Sequence, residues 1–229
     1  HNPFSDNGIK LFGPNGEKLS DKFEATIENQ LNSLSIPQSL YLGQMARMED
    51  AVGRYIEFVK SSLPRRFSLE GMRIVVDCAH GASYKVAPLV LQELGATVMP
   101  INVTPDGYNI NKECGSLHGE VLCQKVKETK AHVGIAFDGD ADRVVFSDEK
   151  GQLIEGDQLI ALLATAWNER DLLKNKTVVG TVMSNLGLEK YLKNQGITFL
   201  RTPVGDRYIT EKMREGEYIL GGEPSGHII

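Results

Sequence analysis

Three carboxylates, Asp138, Asp140 and Asp142, fall within five residues, separated by Gly139 and Ala141 and preceded by the apolar run Val133–Phe137. At about 4 Å each like-charged pair repels by roughly 4 kcal/mol at an effective dielectric of about 20, so such a cluster calls for a cation. Oxygen-only ligands suit Mg²⁺, which takes few carboxylates and completes its octahedron with water or phosphate oxygens. Arg143 follows directly and can face a phosphate. Two other readings compete. A solvated acidic turn is the plain one, and small spacers between two apolar flanks are unusual for it. A calcium-binding EF-hand would use Asp138, Asp140, Asp142 and Glu149 at loop positions 1, 3, 5 and 12, but Arg143 stands at position 6, where that turn requires Gly. Its flanks, Val133–Phe137 and Val144–Phe146, also read as strands and not as helices.

A second group, Glu223-Pro224-Ser225-Gly226-His227, presents a carboxylate, a hydroxyl and an imidazole suited to hydrogen-bonding vicinal hydroxyls or an amine on a sugar. By itself it is matched equally well by a capped turn with an exposed His. The opening His1-Asn2-Pro3-Phe4, followed by Asn7-Gly8-Ile9-Lys10, is loop-like and sets one imidazole and one amine near a hairpin. Such termini are more often ragged than catalytic.

These groups need elements to hold them. Gly8–Phe12 and Glu17–Leu19 read as two short strands around Gly13-Pro14-Asn15-Gly16, and Ser20-Asp21 can cap a helix running to about Leu34. Ser33 to Gly43 has the polar and Pro content of a linker. A helix from about Met45 to Ser61 would put Met48, Val52, Tyr55, Ile56 and Val59 on one face. From Met72 strands and helices alternate: strand Ile74–Val76, helix Ser83–Leu94, strand Thr97–Ile101, helix Glu120–Thr129 and strand Val133–Phe137. A second series follows, with helix Asp157–Glu169, strand Val178–Val182, helix Leu186–Asn194, strand Thr198–Leu200, helix Arg207–Arg214 and strand Tyr218–Leu220. Short apolar strands between helices indicate α/β layering. The two series form a weak internal repeat, and each ends on a strand running into a Gly- and acid-rich loop, the place where α/β units bind ligands.

The 229 residues exceed one typical domain, and 41% hydrophobic with 24% charged content is that of a globular protein, so two compact domains are expected. A net charge of −5 argues against nucleic-acid binding yet leaves room for one sugar phosphate held by local cations and backbone N–H groups. No apolar stretch approaches the roughly 20 residues needed to cross a bilayer, which argues against a membrane partner. The N-terminus has neither Met nor a signal pattern, so the true start is expected to be missing. Cys78, Cys114 and Cys123 lack metal-ligand spacing and read as reduced thiols of a cytoplasmic protein.

Taken together, His1-Asn2-Pro3 with Asn7-Gly8-Ile9-Lys10, Asp138-Gly139-Asp140-Ala141-Asp142-Arg143 and Gly222-Glu223-Pro224-Ser225-Gly226-His227 resemble, in order and spacing, three of the four signature loops of the α-D-phosphohexomutases. The resemblance covers essentially the whole chain, and the aspartate loop is its most specific part. It implies consecutive similar α/β domains with mixed sheets sandwiched by helices, the N-terminal domain truncated and the C-terminal domain absent. Residues 1–43 would be the end of domain 1 with its serine loop and a linker, 44–151 domain 2 with the metal loop, and 152–229 an incomplete domain 3 with the sugar loop. Pro105-Asp106-Gly107-Tyr108-Asn109-Ile110-Asn111 with Cys114-Gly115-Ser116, and Val204-Gly205-Asp206-Arg207-Tyr208, resemble the amino-sugar branch; glucose- and mannose-type members carry a Gly-His-Ser-like segment near the second.

The resemblance further implies Mg²⁺ on Asp138, Asp140 and Asp142, shared with a phosphorylated serine immediately before His1, a residue outside this sequence. The implied reaction interconverts glucosamine 6-phosphate and glucosamine 1-phosphate through a 1,6-bisphosphate, for peptidoglycan precursors, with glucose or glucosamine 1,6-bisphosphate as activator. Arg143 would stabilise phosphoryl charge, and Lys10, then His1, would be the candidates for proton transfer. Glu223 and Ser225 would orient the sugar in both of its poses, with His227 and Arg207 as further contacts. A homodimer is allowed. His80 stands where the family has Asn in an Asp-Cys-Ala-Asn-Gly-Ala-like stretch, which implies different packing of that loop. The rival readings are a mutase of glucose or mannose phosphates and, from another class, a non-catalytic metal- or sugar-binding module.

Overall fold

Ile74 to Asp77 are four consecutive buried residues at the end of strand β1 (Arg73–Asp77), a pattern that requires cover on both faces of the sheet. In the computed structural model, which describes residues 2–6, 8, 9, 11–14, 16, 19–31, 44 and 46–229, that cover is present. One face carries a core of Val75, Leu122, Val126, Ala136 and Val145, and the other one of Ile74, Val76, Cys78 and Ala96. β1 pairs in parallel with β2 (Thr97–Ile101) and β3 (Val133–Phe137). The sheet then turns antiparallel through β4 (Val144–Ser147) and the two-residue β5 (Leu153–Ile154), in the order β2-β1-β3-β4-β5. This is the mixed sheet between helices that the family resemblance implies.

Ahead of the sheet lie α1 (Asp21–Leu31) and α2 (Ala51–Ser61). The linker expected at Ser33 to Gly43, like His1 and Lys10, falls outside the described residues. Leu19 N–H reaches the Leu11 carbonyl at 3.3 Å and Gly16 N–H the Gly13 carbonyl at 3.0 Å, which is what the described residues retain of the expected hairpin. α2 begins six residues later than the periodicity predicts, after Asp50, whose carboxylate pairs with Arg54 one turn on. Of its predicted apolar face only Ile56 is buried; Met48, Val52 and Tyr55 are exposed. α3 is also shorter than expected, running Val86–Glu93 after a 3₁₀ turn at Ala82–Tyr84. Pro88 explains this: it has no N–H, so it fits the first turn of a helix starting at Val86 and would break one starting at Ser83. α4 (Gly119–Thr129) turns Leu122 and Val126 inward at helical spacing.

The second unit repeats the parallel crossover. β6 (Thr177–Thr181) pairs with β7 (Thr198–Thr202) around α6 (Leu186–Asn194), with α5 (Gly156–Glu169) before them and α7 (Asp206–Gly216) after. Ile160, Val178, Leu188, Leu192 and Leu220 form its core. The expected strand Tyr218–Leu220 is not one. Val179 N–H bonds the Leu220 carbonyl and Gly222 N–H the Val179 carbonyl, but the chain then turns to pair Gly222 with Ile228, leaving one isolated bridge beside β6, at Gly221.

Candidate functional site

The aspartate loop is braced from beneath by strand β1. Asp77 is fully buried; its Oδ1 accepts from Ala79 N–H at 2.9 Å and its Oδ2 from Gly115 N–H at 3.0 Å. Sequence reasoning missed this brace, although an acid ending the run Ile74-Val75-Val76 was a visible signal. Beyond it Ala79 and His80 both take left-handed backbone, at φ 50° and 49°. His is among the few residues enriched there, as is Asn. His80 N–H donates to the Asn102 carbonyl at 2.7 Å and its Nδ1 accepts from Thr104 N–H at 3.2 Å, so the ring nitrogen supplies an acceptor as a side-chain amide would. Next, Ala82 N–H holds the Gly139 carbonyl at 2.8 Å, and a Cβ on Gly81 would lie 2.2 Å from that same oxygen. Only glycine permits this approach.

Within the loop, Arg143 N–H donates to Asp138 Oδ1 at 3.1 Å and Ala141 N–H to the Asp138 carbonyl at 3.1 Å, with Ala141 left-handed at φ 62°. The turn brings carboxylate oxygens of Asp138, Asp140 and Asp142 within 4.8 Å of one another, a set that could hold a metal ion. Asp138 is 1% exposed, and its Oδ2 has no hydrogen-bond partner. Burial pushes its pKa up to about 6, aided by the charges of Asp142 and Asp140 and opposed by the Arg143 N–H. Arg143 Nε stands 4.0 Å from Asp142.

A raised carboxyl pKa in the fold means that protonation stabilises it: that stability is complete below the unfolded value near 4 and is lost as pH rises through about 6. A divalent cation acts oppositely, because it needs the ionised form. The rise in melting temperature on adding Mg²⁺ is therefore expected to be larger at about pH 8 than at about pH 5. Thermal melts at both pH values check this; equal shifts would count against the cluster as the binding site.

The second loop meets the first. Glu223 Oε1 accepts from Gly205 N–H at 3.0 Å, and Ser225 Oγ donates to Glu223 Oε2 at 3.3 Å. Glu223 N–H bonds the His227 carbonyl at 2.8 Å, closing a turn with Gly226 at φ 91°. Val144 N–H, one residue past Arg143, bonds the Gly226 carbonyl at 3.0 Å, and His227 Nδ1 lies 3.8 Å from Asp142 Oδ2. Asp138, Asp140, Asp142, Arg143, Glu223, Ser225 and His227 are thus gathered in one region. Arg207 is not gathered with them: its guanidinium pairs with Glu211 at 3.0 Å and Asp21 at 3.3 Å, tying α7 to α1. The segment expected to mark the amino-sugar branch lies close by, since a Cβ on Gly139 would touch Ile110 and Asn111, and Tyr108 packs edge-on against Phe4 at 4.9 Å.

Three family models match in chain order: the phosphoglucomutase/phosphomannomutase α/β/α domain I over residues 1–37, domain II over 53–151 and domain III over 155–229. The chain belongs to the phosphoglucomutase/phosphomannomutase family. The aspartate loop falls in domain II of that family and the Glu223 loop in domain III. The chain is 61% identical over 232 residues to the phosphoglucosamine mutase of Rhodospirillum rubrum, a match covering 100% of this chain and 51% of that protein. It thus spans about half the length of the curated relatives it matches. A phosphoglucomutase/phosphomannomutase family protein from Burkholderia thailandensis has the same fold, with a TM-score of 0.75 and 24% identity over 91% of this chain and 44% of that one. N-acetylphosphoglucosamine mutase from Aspergillus fumigatus, solved with GlcNAc-6P and magnesium, matches with a TM-score of 0.52 and 22% identity over 76% of this chain and 39% of that one. Among the described residues no helix is long and apolar enough to cross a membrane.

Proposed function

We propose that this chain serves the interconversion of glucosamine 6-phosphate and glucosamine 1-phosphate through a 1,6-bisphosphate. The observation that carries the reading is the junction of an oxygen-only metal cluster with a carboxylate-hydroxyl-imidazole loop, joined at Val144 and Gly226. The preference for an amino sugar over glucose or mannose phosphates is supported by the relatives at 56–61% identity, which are named phosphoglucosamine mutases. Comparing turnover of glucosamine, glucose and mannose 6-phosphates by the full-length enzyme tests it; faster turnover of either hexose would move the enzyme to the rival branch.

Phosphate monoesters react extremely slowly unaided, and proteins speed their transfer mainly by positioning and by neutralising charge. The cluster fits Mg²⁺: hard oxygen donors, close together, with Asp138 Oδ2 buried and without a partner. When bound there, Mg²⁺ would neutralise charge on a phosphoryl group carried by the serine expected before His1. Asp138, Asp140 and Asp142 would hold the ion, and Arg143 would face the phosphoryl oxygens. Glu223 and Ser225 grip vicinal hydroxyls in both poses of the sugar, because those hydroxyls present a similar pattern after reversal. Lys10, then His1, remain the candidates for moving the proton of the attacking hydroxyl. Glucose or glucosamine 1,6-bisphosphate would prime the serine.

Glu223→Gln is expected to raise KM and lower kcat for the amino sugar, while phosphorylation of the serine by a bisphosphate stays largely unaffected. The amide keeps one acceptor for Gly205 N–H but lacks the anion that a sugar hydroxyl or ammonium would meet. Steady-state kinetics of both half-reactions check this; equal loss in both would place Glu223 elsewhere.

A further inference from the structure

Strand β4 has an unequal edge. β5 covers only its far end, pairing Ile154 with Phe146 and Leu153 with Ser147. At its near end, where it leaves the aspartate loop, Val144 N–H instead meets the carbonyl of Gly226. The sugar loop thereby takes the place of a missing strand beside the residue that follows Arg143. The approach is tight enough to dictate the residue: Gly226 sits at φ 91°, and a Cβ on it would lie 2.2 Å from the Val144 carbonyl oxygen and 2.9 Å from its carbon. Both atoms are backbone and cannot swing aside.

We propose that Gly226 is a positioning residue for the metal loop, fixing through the Val144 amide where Arg143 and Asp142 stand relative to Asp138. The path is short and covalent at its core. Gly226 holds Val144; Arg143, the preceding residue, gives its N–H to Asp138 Oδ1; Asp142, before that, faces His227 at 3.8 Å. Moving the Gly226 carbonyl moves the β4 start and with it the N–H that aims the most buried of the three carboxylates. The proposal rests on reading Asp138, Asp140 and Asp142 as the Mg²⁺ site.

The test compares Gly226→Ala with Gly205→Ala in the full-length enzyme. Gly205 also has a backbone that side chains rarely adopt, at φ 130°, and holds the sugar loop through Glu223, but its N–H goes to Glu223 and not to the aspartate loop. Mg²⁺ affinity, read by titration, is expected to fall roughly tenfold in Gly226→Ala, the usual size of effects on groups behind metal ligands, and to stay within about twofold of wild type in Gly205→Ala. Equal loss in both variants, or none in either, overturns the proposal while leaving the metal reading standing. If Gly226→Ala fails to fold, hydrogen exchange of the wild-type enzyme decides: Mg²⁺ is expected to slow exchange at the Val144 amide and leave the Gly205 amide unchanged, and no slowing at Val144 overturns the proposal. A wild-type enzyme that takes up no Mg²⁺ at all would sink the metal reading and this one together.

Discussion

Asp140→Asn in the full-length enzyme is expected to cut kcat by roughly a hundredfold or more while the chain stays folded. The substitution keeps shape and volume and removes one anionic oxygen donor from a cluster within 4.8 Å. A neutral amide oxygen is a poorer ligand for a hard dication. The same change relieves repulsion when no cation is present, since the charge of Asp140 is one of the causes that raise the Asp138 pKa. Two readouts therefore separate in opposite directions: turnover and Mg²⁺-dependent stabilisation fall, and the melting temperature without Mg²⁺ holds or rises. Unchanged turnover would end the metal assignment, and a lower melting temperature without Mg²⁺ would make Asp140 a structural residue.

The second large effect is on stability. Asp77→Ala leaves two buried N–H groups, those of Ala79 and Gly115, without their acceptor. At about 1–3 kcal/mol for each unsatisfied group, the loss is expected to be roughly 2–6 kcal/mol, a large share of the 5–15 kcal/mol typical of a folded protein. The damage should spread to the ion, because Gly115 packs against the Phe137 carbonyl directly before Asp138. Denaturant unfolding with and without Mg²⁺ checks both parts. A loss under about 1 kcal/mol would mean that water or a neighbouring group takes over both bonds.

The carboxylate cluster was legible in the sequence because Asp138, Asp140 and Asp142 lie in one short stretch, so no tertiary contact was needed to see them together. Helices α4 to α7 were legible for a related reason: local periodicity and caps such as Asn185, whose Oδ1 accepts from Gly187 N–H, specify them without distant help. What the sequence leaves unannounced falls where a remote partner decides. Tyr218–Leu220 has the apolarity of a strand, but Gly222 leads the chain back to Ile228 before a ladder can form. Arg207 stands in a motif expected to touch the sugar, and nothing near it in sequence announces its exposed ion pair with Asp21 from the far end of the chain. Gly226 carried no role of its own in the sequence, because nothing nearby announces the Val144 amide.

In the proposed reaction, a substrate whose two ends each visit one phosphoryl donor has to reverse itself. The loop proposed to grip its ring cannot follow, because three anchors fasten it: Gly226 to Val144, Pro224 to the first turn of α5 through Gly156 N–H, and Glu223 to Gly205. Such a cradle behaves as a fixed template against which the ligand itself must tumble. The near-symmetry of the two poses then becomes a demand on the sugar, which has to offer matching hydroxyls from either direction to an unyielding set of partners.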